Sequence, residues 1–280
     1  MVWWRNSTDN PYGLRLNKVF KSDIPVKLTF LGTGTSTGVP QLRCNCATCR
    51  SRDPRDRRMR TSALVEVNGS NILIDCGPDF RQQMLNYHDG DLDALLVTHH
   101  HYDHLGGVDD LRPYCLGKPS FPIYCQQQVA DDLHRRLPYC FEEHPYPGVP
   151  KLDIHIIKPL VPFTACGVEI LPLPVNHYIL DIVGFRIGPL AYITDAKVVP
   201  DETIEALKGV DTLVINALRF KEHPSHINLA QALEIIDKVK PRVSYLTHLS
   251  HDMGPTAELI PHLPANVHPA CDGEIIVIPE

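Results

Sequence analysis

The chain has 280 residues, 43% of them hydrophobic and 21% charged, and this ordinary globular composition excludes a disordered, collagenous or coiled-coil protein. No apolar run approaches the roughly 20 residues that span a bilayer, and the first residues, MVWWRNSTDNPYG, lack the features of a signal peptide. We therefore expect a soluble, cytoplasmic protein with no membrane partner. With 27 Lys and Arg against 33 Asp and Glu, the net charge of -6 disfavours a surface committed to nucleic acid, although it leaves room for one local basic patch.

Residues 1–25 carry polar and turn-forming residues without clear periodicity, so we interpret them as an N-terminal extension and residues 26–280 as one domain. Short apolar or β-branched runs predict strands, in chain order, over 26–31, 63–67, 71–74, 94–98, 122–124, 154–157, 168–172, 182–187, 190–193, 212–215, 243–246 and 275–278. Helical spacing or a polar start predicts helices over 79–86, 127–136, 201–207, 229–239 and 256–262. Many strands precede the first regular strand–helix alternation, which favours an α+β fold, a four-layer αββα sandwich.

The segment LLVTHHHYDHLGG runs from an apolar strand directly into a cluster of imidazole and carboxylate groups. His99 and His101 are two residues apart in extended chain, so their side chains project to the same side and can share a metal ion. Asp103 and His104 follow in a turn and can face a second metal position. Alternation turns His100 away, so we do not expect it to be a ligand. The spacing predicts a metal site, in preference to a run of solvated histidines.

Two metal ions need about six to eight donor atoms, so further ligands must come from elsewhere in the chain. Three later segments each end an apolar run in a single His or Asp: LPLPVNH at His177, LAYITD at Asp195 and VSYLTH at His248. Each alone is typical of a capped strand end. Together with the central segment they complete the ligand count.

The nine cysteines are an odd number in a long chain, and three of them, Cys44, Cys46 and Cys49, lie within six residues, which favours metal over disulfides. Their spacing is typical of a structural zinc site, which needs a fourth ligand. We expect His251 to be that ligand, because it follows His248 by three residues in THLSH. The alternative is a group of reduced, buried thiols.

From Val26 onwards the sequence resembles the metallo-β-lactamase superfamily of dinuclear hydrolases. The resemblance implies the αββα sandwich, and it implies that Asp195 bridges two metal ions. It also implies the ligands of each ion: His99, His101 and His177 for one, and Asp103, His104 and His248 for the other. Asp75, in LIDCGPD, matches a superfamily residue that supports the site without ligating.

The cysteine cluster narrows this resemblance. LGTGTSTGVPQLRCNCATC, LIDCGPD, LTHHHYDHLGG, LPLPVNH and THLSH are similar to the PhnP-type branch, named for phosphoribosyl 1,2-cyclic phosphate phosphodiesterase. In that branch a structural Zn²⁺, held by three Cys and one His, lies beside two divalent ions, Mn²⁺ or Zn²⁺. GTGTSTG lacks the Lys-Ser/Thr ending of a nucleotide-binding loop, so we interpret it as a turn from the first strand into the cysteine segment.

The resemblance also implies the reaction, hydrolysis of a small, cyclic phosphate ester by a hydroxide that bridges the two metals. The branch has a histidine after the bridging Asp that assists the leaving group, and His226 matches it, with His223 as the nearby rival. His226, as a protonated acid, and Asp103, also a metal ligand, are therefore the predicted catalytic residues. The alternative for either histidine is a residue at the entry of a helix.

One basic run follows the cysteines and comprises Arg50, Arg52, Arg55, Arg57, Arg58 and Arg60. We interpret it as a solvated face, with contact to phosphate or RNA as the alternative. The rival functions are an RNA-processing nuclease, a lactone or thioester hydrolase, and a non-enzymatic binding protein like the pyrroloquinoline quinone biosynthesis relative. The complete ligand set favours an enzyme whose partner is a small phosphate ester. The sequence leaves the oligomeric state open, a homodimer included.

Overall fold

The computed structural model describes residues 25–143 and 146–279, in which two seven-stranded sheets face each other. The expected N-terminal extension therefore lies, apart from residue 25, outside the described residues. In the first sheet the spatial order is β14-β1-β2-β3-β4-β5-β6. Its strands are β1 Val26–Gly32, β2 Ser62–Val67, β3 Ser70–Ile74, β4 Ala94–Leu96, β5 Phe121–Cys125, β6 Leu152–Ile156 and β14 Ile275–Ile278.

The second sheet has the order β13-β12-β11-β10-β9-β8-β7. Its strands are β7 Phe163–Ala165, β8 Val168–His177, β9 Leu180–Ile187, β10 Leu190–Ile193, β11 Thr212–Asn216, β12 Val243–Thr247 and β13 Val267–Pro269. Strands β3 to β6 run parallel to one another, and so do β10 to β13. The other pairings are antiparallel, so both sheets are mixed.

Helices connect the strands and cover the outer faces of the sheets. They are α1 Ala47–Arg50, α2 Phe80–Tyr87, α3 Tyr102–Leu105, α4 Gln127–Arg136, α5 Asp201–Leu207, α6 Leu229–Val239 and α7 Thr256–Leu259. The start of α6 shows why the chain turns helical there, since Asn228 and Gln231 form a capping box in which each side chain accepts the other's backbone N–H. Within the described residues, none of the helices has the length and apolar character that crossing a membrane requires.

Three buried apolar clusters hold the layers together. The central cluster joins the two sheets, with Phe30 of β1 and Phe185 of β9 both fully buried in it. The second packs α5 and α6, including Ile236, on the outer face of the second sheet. The third packs α2 and α4, including Phe80, on the outer face of the first sheet. This confirms the α+β, four-layer αββα sandwich, because each interface between layers has its own buried apolar core.

Several predicted bounds need correction. Strand β8 continues five residues past the predicted end at Pro172, because its antiparallel pairing with β9 holds it extended as far as His177. The predicted helix 256–262 is α7 followed by a 3₁₀ turn, since Pro261 has no N–H for a helical hydrogen bond. Strands β7 and β13 and the 3₁₀ segment Val108–Cys115 were not predicted.

Candidate metal centre

The predicted ligands come together because parallel strands in both sheets end at one edge of the sandwich. Asp75 follows β3, Asp195 lies two residues after β10, and His248 follows β12. All three have left-handed backbone, with φ of 61°, 58° and 55° respectively. This conformation is strained for residues other than glycine, and such strain is characteristic of functional sites. It turns each side chain sharply out of its strand.

The first metal group consists of His99, His101 and His177, whose ligand nitrogens lie within 4.8 Å of one another. Nε2 of His99 is 3.0 Å from Nδ1 of His101. Two nitrogens bound to one tetrahedral Zn²⁺ at about 2.05 Å are about 3.3 Å apart, so this spacing suits a shared ion. His99 is fully buried. His101 directly precedes α3 and His177 is the last residue of β8, and these two side chains complete the group.

The second metal group consists of Asp103, His104, Asp195 and His248, again within 4.8 Å. Asp195 contacts both groups through different oxygens. Its Oδ1 is 3.2 Å from Nε2 of His104 and 3.1 Å from Nδ1 of His248, whereas its Oδ2 is 3.9 Å from Nε2 of His99. A carboxylate with one oxygen toward each group has the geometry of a bridging ligand.

Hydrogen bonds on the far side of the rings orient these imidazoles. Nδ1 of His104 donates to Oδ2 of Asp75 at 2.7 Å, and the hydroxyl of Thr98 donates to the same oxygen at 2.9 Å. Because that hydroxyl proton is committed, Thr98 can only accept from Nδ1 of His99, 3.0 Å away. Asp75 therefore orients ligands of both groups. The family resemblance implied this supporting role for Asp75, whereas the role of Thr98 was not predicted, although Thr98 directly precedes His99 in the motif.

His177 is oriented in the same way by a backbone carbonyl, since its Nδ1 donates to O of Ser225 at 2.7 Å. In His99 and His177 the proton is thus on Nδ1 and the lone pair of Nε2 faces the site, while His104 also carries a proton on Nδ1 and directs Nε2 into the site. Such outer partners set which nitrogen can ligate and are typical of built metal sites.

The electrostatics of the groups suit cations. Burial lowers the pKa of His99 well below its usual range and lowers that of His101, so both rings are neutral at pH 7 and offer lone pairs. Burial also opposes charge on His104, but the carboxylates of Asp195, Asp103 and Asp75 outweigh it and raise its pKa well above the ordinary value. The second metal group is therefore a place where positive charge is strongly stabilised.

A buried nitrogen without a hydrogen-bond partner in the described part of the chain, Nε2 of His104, indicates that the second metal group fits a metal ion. Nε2 of His104 is buried and has no hydrogen-bond partner among the described residues, while carboxylate oxygens of Asp103 and Asp195 lie 3.2 Å away. An unpaired nitrogen in a buried polar cluster is costly unless a ligand pairs with it. A divalent cation would satisfy this nitrogen and both carboxylates at once, so the residues fit the metal ions that the fold implies.

The cysteine cluster assembles as predicted, with donor atoms of Cys44, Cys46, Cys49 and His251 within 4.8 Å of one another. Nδ1 of His251 is 3.5 Å from Sγ of Cys44 and 3.4 Å from Sγ of Cys46. Burial opposes the thiolate of Cys46, but hydrogen bonds from the Cys49 N–H and His251 lower its pKa to about 6. Three sulfurs and one imidazole suit a tetrahedral zinc site, and the zinc assignment stays a prediction.

His226 borders both metal groups. Its Nδ1 is buried, lacks a hydrogen-bond partner among the described residues, and lies 3.8 Å from Oδ2 of Asp195. Burial lowers the pKa of His226 to about 3, although Asp195 opposes the shift, so the ring is neutral at pH 7 in this arrangement. For His226 to donate a proton, its pKa must rise when substrate binds, and the negative charge of a phosphate group would act in that direction. His223 neighbours His226, with their ring centroids 5.2 Å apart, and Nδ1 of His223 accepts the Ser225 N–H.

Most of the basic run is exposed, as interpreted, at Arg50, Arg52, Arg55 and Arg57, whereas Arg58 departs from that interpretation. Arg58 is buried and donates to Thr33, Ala270 and Thr256. Arg55 pairs with Asp53, and Arg60 pairs with Asp79. As predicted, His100 belongs to neither metal group.

The fold and site define a metallo-β-lactamase-fold hydrolase, and comparison with known proteins agrees. Residues 70–249 match the β-lactamase superfamily domain, and the chain belongs to that superfamily. A solved structure of a diphosphatase of the PhnP family is 37% identical, with a TM-score of 0.85, and the match covers 91% of this chain and 98% of that one. The protein is thus a PhnP-like member of the superfamily.

Two relatives known by sequence carry other names. An octanoyltransferase of Porphyromonas gingivalis is 44% identical over 257 residues, which are 91% of this chain but only 52% of that protein. The chain thus spans about half the length of this relative. Ribonuclease Z of Mycobacterium sp. (strain KMS) is 24% identical over 264 residues, covering 83% of this chain and 87% of that protein.

Proposed function

We propose that this protein is a dinuclear, metal-dependent phosphodiesterase that hydrolyses a small, cyclic phosphate ester. The observation that carries the proposal is Asp195, whose two oxygens face two groups of ligand side chains, in a chain 37% identical to a PhnP-family diphosphatase. Divalent ions, Mn²⁺ or Zn²⁺, held by these groups would activate water and offset negative charge on the phosphate.

The residues of the chain have separate tasks in this reaction. The two metal groups bind the ions, and Asp75 and Thr98 hold the imidazoles so that Nε2 points inward. His226, at the border of both groups, is placed to protonate the leaving oxygen. The fixed orientation of these groups reduces the reorganisation that the reaction requires.

A diphosphate linkage is the second candidate, because the similar PhnP-family structure is that of a diphosphatase. Both substrate types present an electrophilic phosphorus with a leaving oxygen, so one metal centre serves either. They differ in the leaving group, which is an alkoxide in an ester and a phosphate in a diphosphate. The stronger dependence of an alkoxide on proton donation distinguishes them.

The remaining alternatives have less support. An RNA-processing nuclease is less favoured because the chain has a net charge of -6 and is only 24% identical to the ribonuclease Z relative. The transferase name belongs to a relative of which about half is unmatched, so it does not carry over to this chain. A pure binding protein has no need for all seven predicted ligands in two convergent groups.

A substrate panel with metal analysis tests the proposal. Protein loaded with Mn²⁺ or Zn²⁺ would be assayed on cyclic nucleotides, cyclic ribose phosphates, bis(p-nitrophenyl) phosphate, a dinucleoside diphosphate, a lactone and a short RNA. We expect turnover of the cyclic phosphates to a phosphomonoester, lost on chelation and restored by metal. Preference for the lactone or the RNA, or full activity without metal, would contradict the proposal.

A further inference from the structure

Strand β14 leaves one edge of the first sheet open. Four strands lie at the edges of the two sheets, β14 and β6 in the first and β13 and β7 in the second. Within residues 25–143 and 146–279, β14 pairs with β1 alone. Its other side therefore presents backbone N–H and C=O groups that can pair with a further strand.

The other three edge strands have features that discourage such pairing. In β6, Asp153 and His155 form an exposed ion pair, with Nε2 of His155 3.0 Å from Oδ2 of Asp153. Strands β7 and β13 have only three residues each, and β13 contains Pro269, which has no N–H to donate. Strand β14, in contrast, has the sequence Ile-Ile-Val-Ile, without a charge or a proline. It lacks the protection that natural edge strands usually have, which indicates that another strand covers it.

The side chains of β14 divide between the core and the outer face of the sheet. Ile278 is buried in the central cluster and Ile276 packs against it, so these two side chains face the second sheet. Ile275 and Val277 point to the outer face by strand alternation, and they are 54% and 64% exposed. Two β-branched side chains on one face would be stabilised by similar side chains on a neighbouring strand.

The hydrogen bonds to β1 show which backbone groups of β14 are free. The register of the pair continues to Phe30 opposite Glu274, and the Phe30 N–H donates to O of Glu274 at 2.9 Å. Along an antiparallel pair, residues alternate between bonding to the partner strand and pointing away from it. Glu274 and every second residue after it therefore bond towards β1. The N–H and C=O groups of Ile275 and Val277 point to the open edge.

We propose that β14 is a dimer interface, where it pairs antiparallel with β14 of a second copy of this chain. The two-fold axis passes through Ile276, because this register alone sets both outward-bonding residues of each β14 opposite those of the other. Ile275 then lies opposite Val277 of the second copy, and Val277 opposite Ile275. The pairing joins two seven-stranded sheets into one continuous sheet and does not depend on the proposed function.

The charge pattern favours a second copy as the occupant. A two-fold axis brings a strand against itself, so a charged edge strand would place like charges close together, which is destabilising. Strand β14 carries no charge. The nearest carboxylate, that of Glu274, would lie opposite Ile278 of the second copy, and it already accepts the Cys271 N–H at 3.0 Å. Self-pairing therefore brings no like charges opposite each other.

Cysteine cross-linking tests the register of the pair. In the proposed dimer Ile276 faces its own copy at a non-hydrogen-bonded position, with Cα atoms about 4.5 Å apart, which suits a disulfide. Air oxidation of Ile276→Cys should therefore link two chains through residue 276, as identified by mass spectrometry of the linked peptides. Val277→Cys is the matched control, because its Cα atoms would be about 8 Å apart, beyond disulfide range. Linkage through residue 277 but not 276 would overturn the inference.

Analytical ultracentrifugation over a range of concentrations tests the dimer in the wild-type chain. We expect the mass of two chains at about 100 µM, because even a small, transient interface associates at such a concentration. Val277→Lys should weaken association at least about tenfold, since the two-fold axis applies each change twice. Ile156→Lys is the control, at a 46% exposed position in the edge strand β6, and should associate as the wild type does.

Hydrogen exchange of the Ile275 and Val277 amides distinguishes the possible occupants of the edge. In the proposed dimer their protection rises with protein concentration and is lost in Val277→Lys. A wild-type chain that stays monomeric at about 100 µM would overturn the inference. So would protection that does not change with concentration, which would assign the edge to residues 1–24 of the same chain.

Discussion

Asp75 offers the sharpest test of how the metal centre is built, through the substitution Asp75→Asn. In the wild type, Oδ1 accepts the Thr98 N–H at 2.8 Å, and Oδ2 accepts from the Thr98 hydroxyl and from Nδ1 of His104. Asparagine keeps the shape and tolerates the left-handed backbone at this position. It replaces one acceptor oxygen by an NH₂ group, which can only donate.

The orientation of the new amide decides the consequence. If its nitrogen faced the Thr98 N–H, a buried donor would lose its acceptor, at a cost of about 1–3 kcal/mol. The nitrogen therefore faces His104, which must then accept at Nδ1 and carry its proton on Nε2. That nitrogen is the one that lies 3.2 Å from Asp103 and Asp195, so a metal ion loses a ligand.

We expect Asp75→Asn to weaken metal binding at the second metal group by 10- to 100-fold, or about 1.4–2.7 kcal/mol. Binding at the first metal group should weaken as well, because the Thr98 hydroxyl that orients His99 loses its acceptor. The assay is equilibrium dialysis against Mn²⁺, with phosphodiesterase activity recorded at each free concentration. Activity should reappear at higher Mn²⁺.

The matched control is Asp93→Asn, because Asp93 also accepts a backbone N–H, that of Asn71, but contacts no metal group. The control should bind Mn²⁺ as the wild type does. Equal Mn²⁺ affinities in Asp75→Asn and the wild type would refute the reasoning from tautomers.

Three further predictions concern the rest of the molecule. Cys46→Ser should lower zinc content and Tm, measured by metal analysis and calorimetry. The control Cys166→Ser, outside the cluster, should change neither. If Cys46→Ser lost turnover while zinc content and Tm stayed unchanged, the cysteines would belong to catalysis. His226→Ala should slow hydrolysis of a cyclic ribose phosphate by about 10²- to 10⁴-fold and hydrolysis of bis(p-nitrophenyl) phosphate clearly less. His223→Ala is the control and should not show this difference between the two substrates. Equal losses on both substrates in His226→Ala would indicate a role in substrate positioning. Burial raises the pKa of Asp272 from 3.8 to about 6, so the folded state binds this proton more tightly than the unfolded state does. The free energy of unfolding should therefore fall as the pH rises from about 4 to about 6, by up to about 3 kcal/mol. Asp272→Asn should flatten this pH slope in urea titrations, and an unchanged slope would assign it to other groups.

The sequence predicted which side chains converge at this edge of the sandwich, because its signals are local. His99 and His101 share a face by strand alternation, and His177, Asp195 and His248 each end an apolar run. Strands that end at one sheet edge bring such residues together. His251 lies with the three cysteines, as its short spacing from His248 predicted, and its role as a zinc ligand stays a prediction.

The sequence could not predict features that depend on tertiary packing. Strands β7 and β13 have three residues each, and pairing with a neighbour, rather than their own pattern, makes them strands. Arg58 appears in the sequence as one more cation of a basic run, yet it is buried among hydroxyl and carbonyl acceptors from distant segments. The role of Thr98 depends on which ring nitrogen its hydroxyl contacts, and no spacing in the sequence encodes that.

Asp195→Ala tests the central claim most directly, because the two carboxylate oxygens of Asp195 face the two metal groups. The variant would be compared with the wild type, both saturated with Mn²⁺, by the rate of bis(p-nitrophenyl) phosphate hydrolysis, with circular dichroism and zinc content as checks on the fold. We predict a loss of at least about 100-fold in kcat with both checks unchanged, the scale seen when one electrostatic stabiliser is removed. Turnover near the wild-type rate would contradict a dinuclear centre bridged by Asp195.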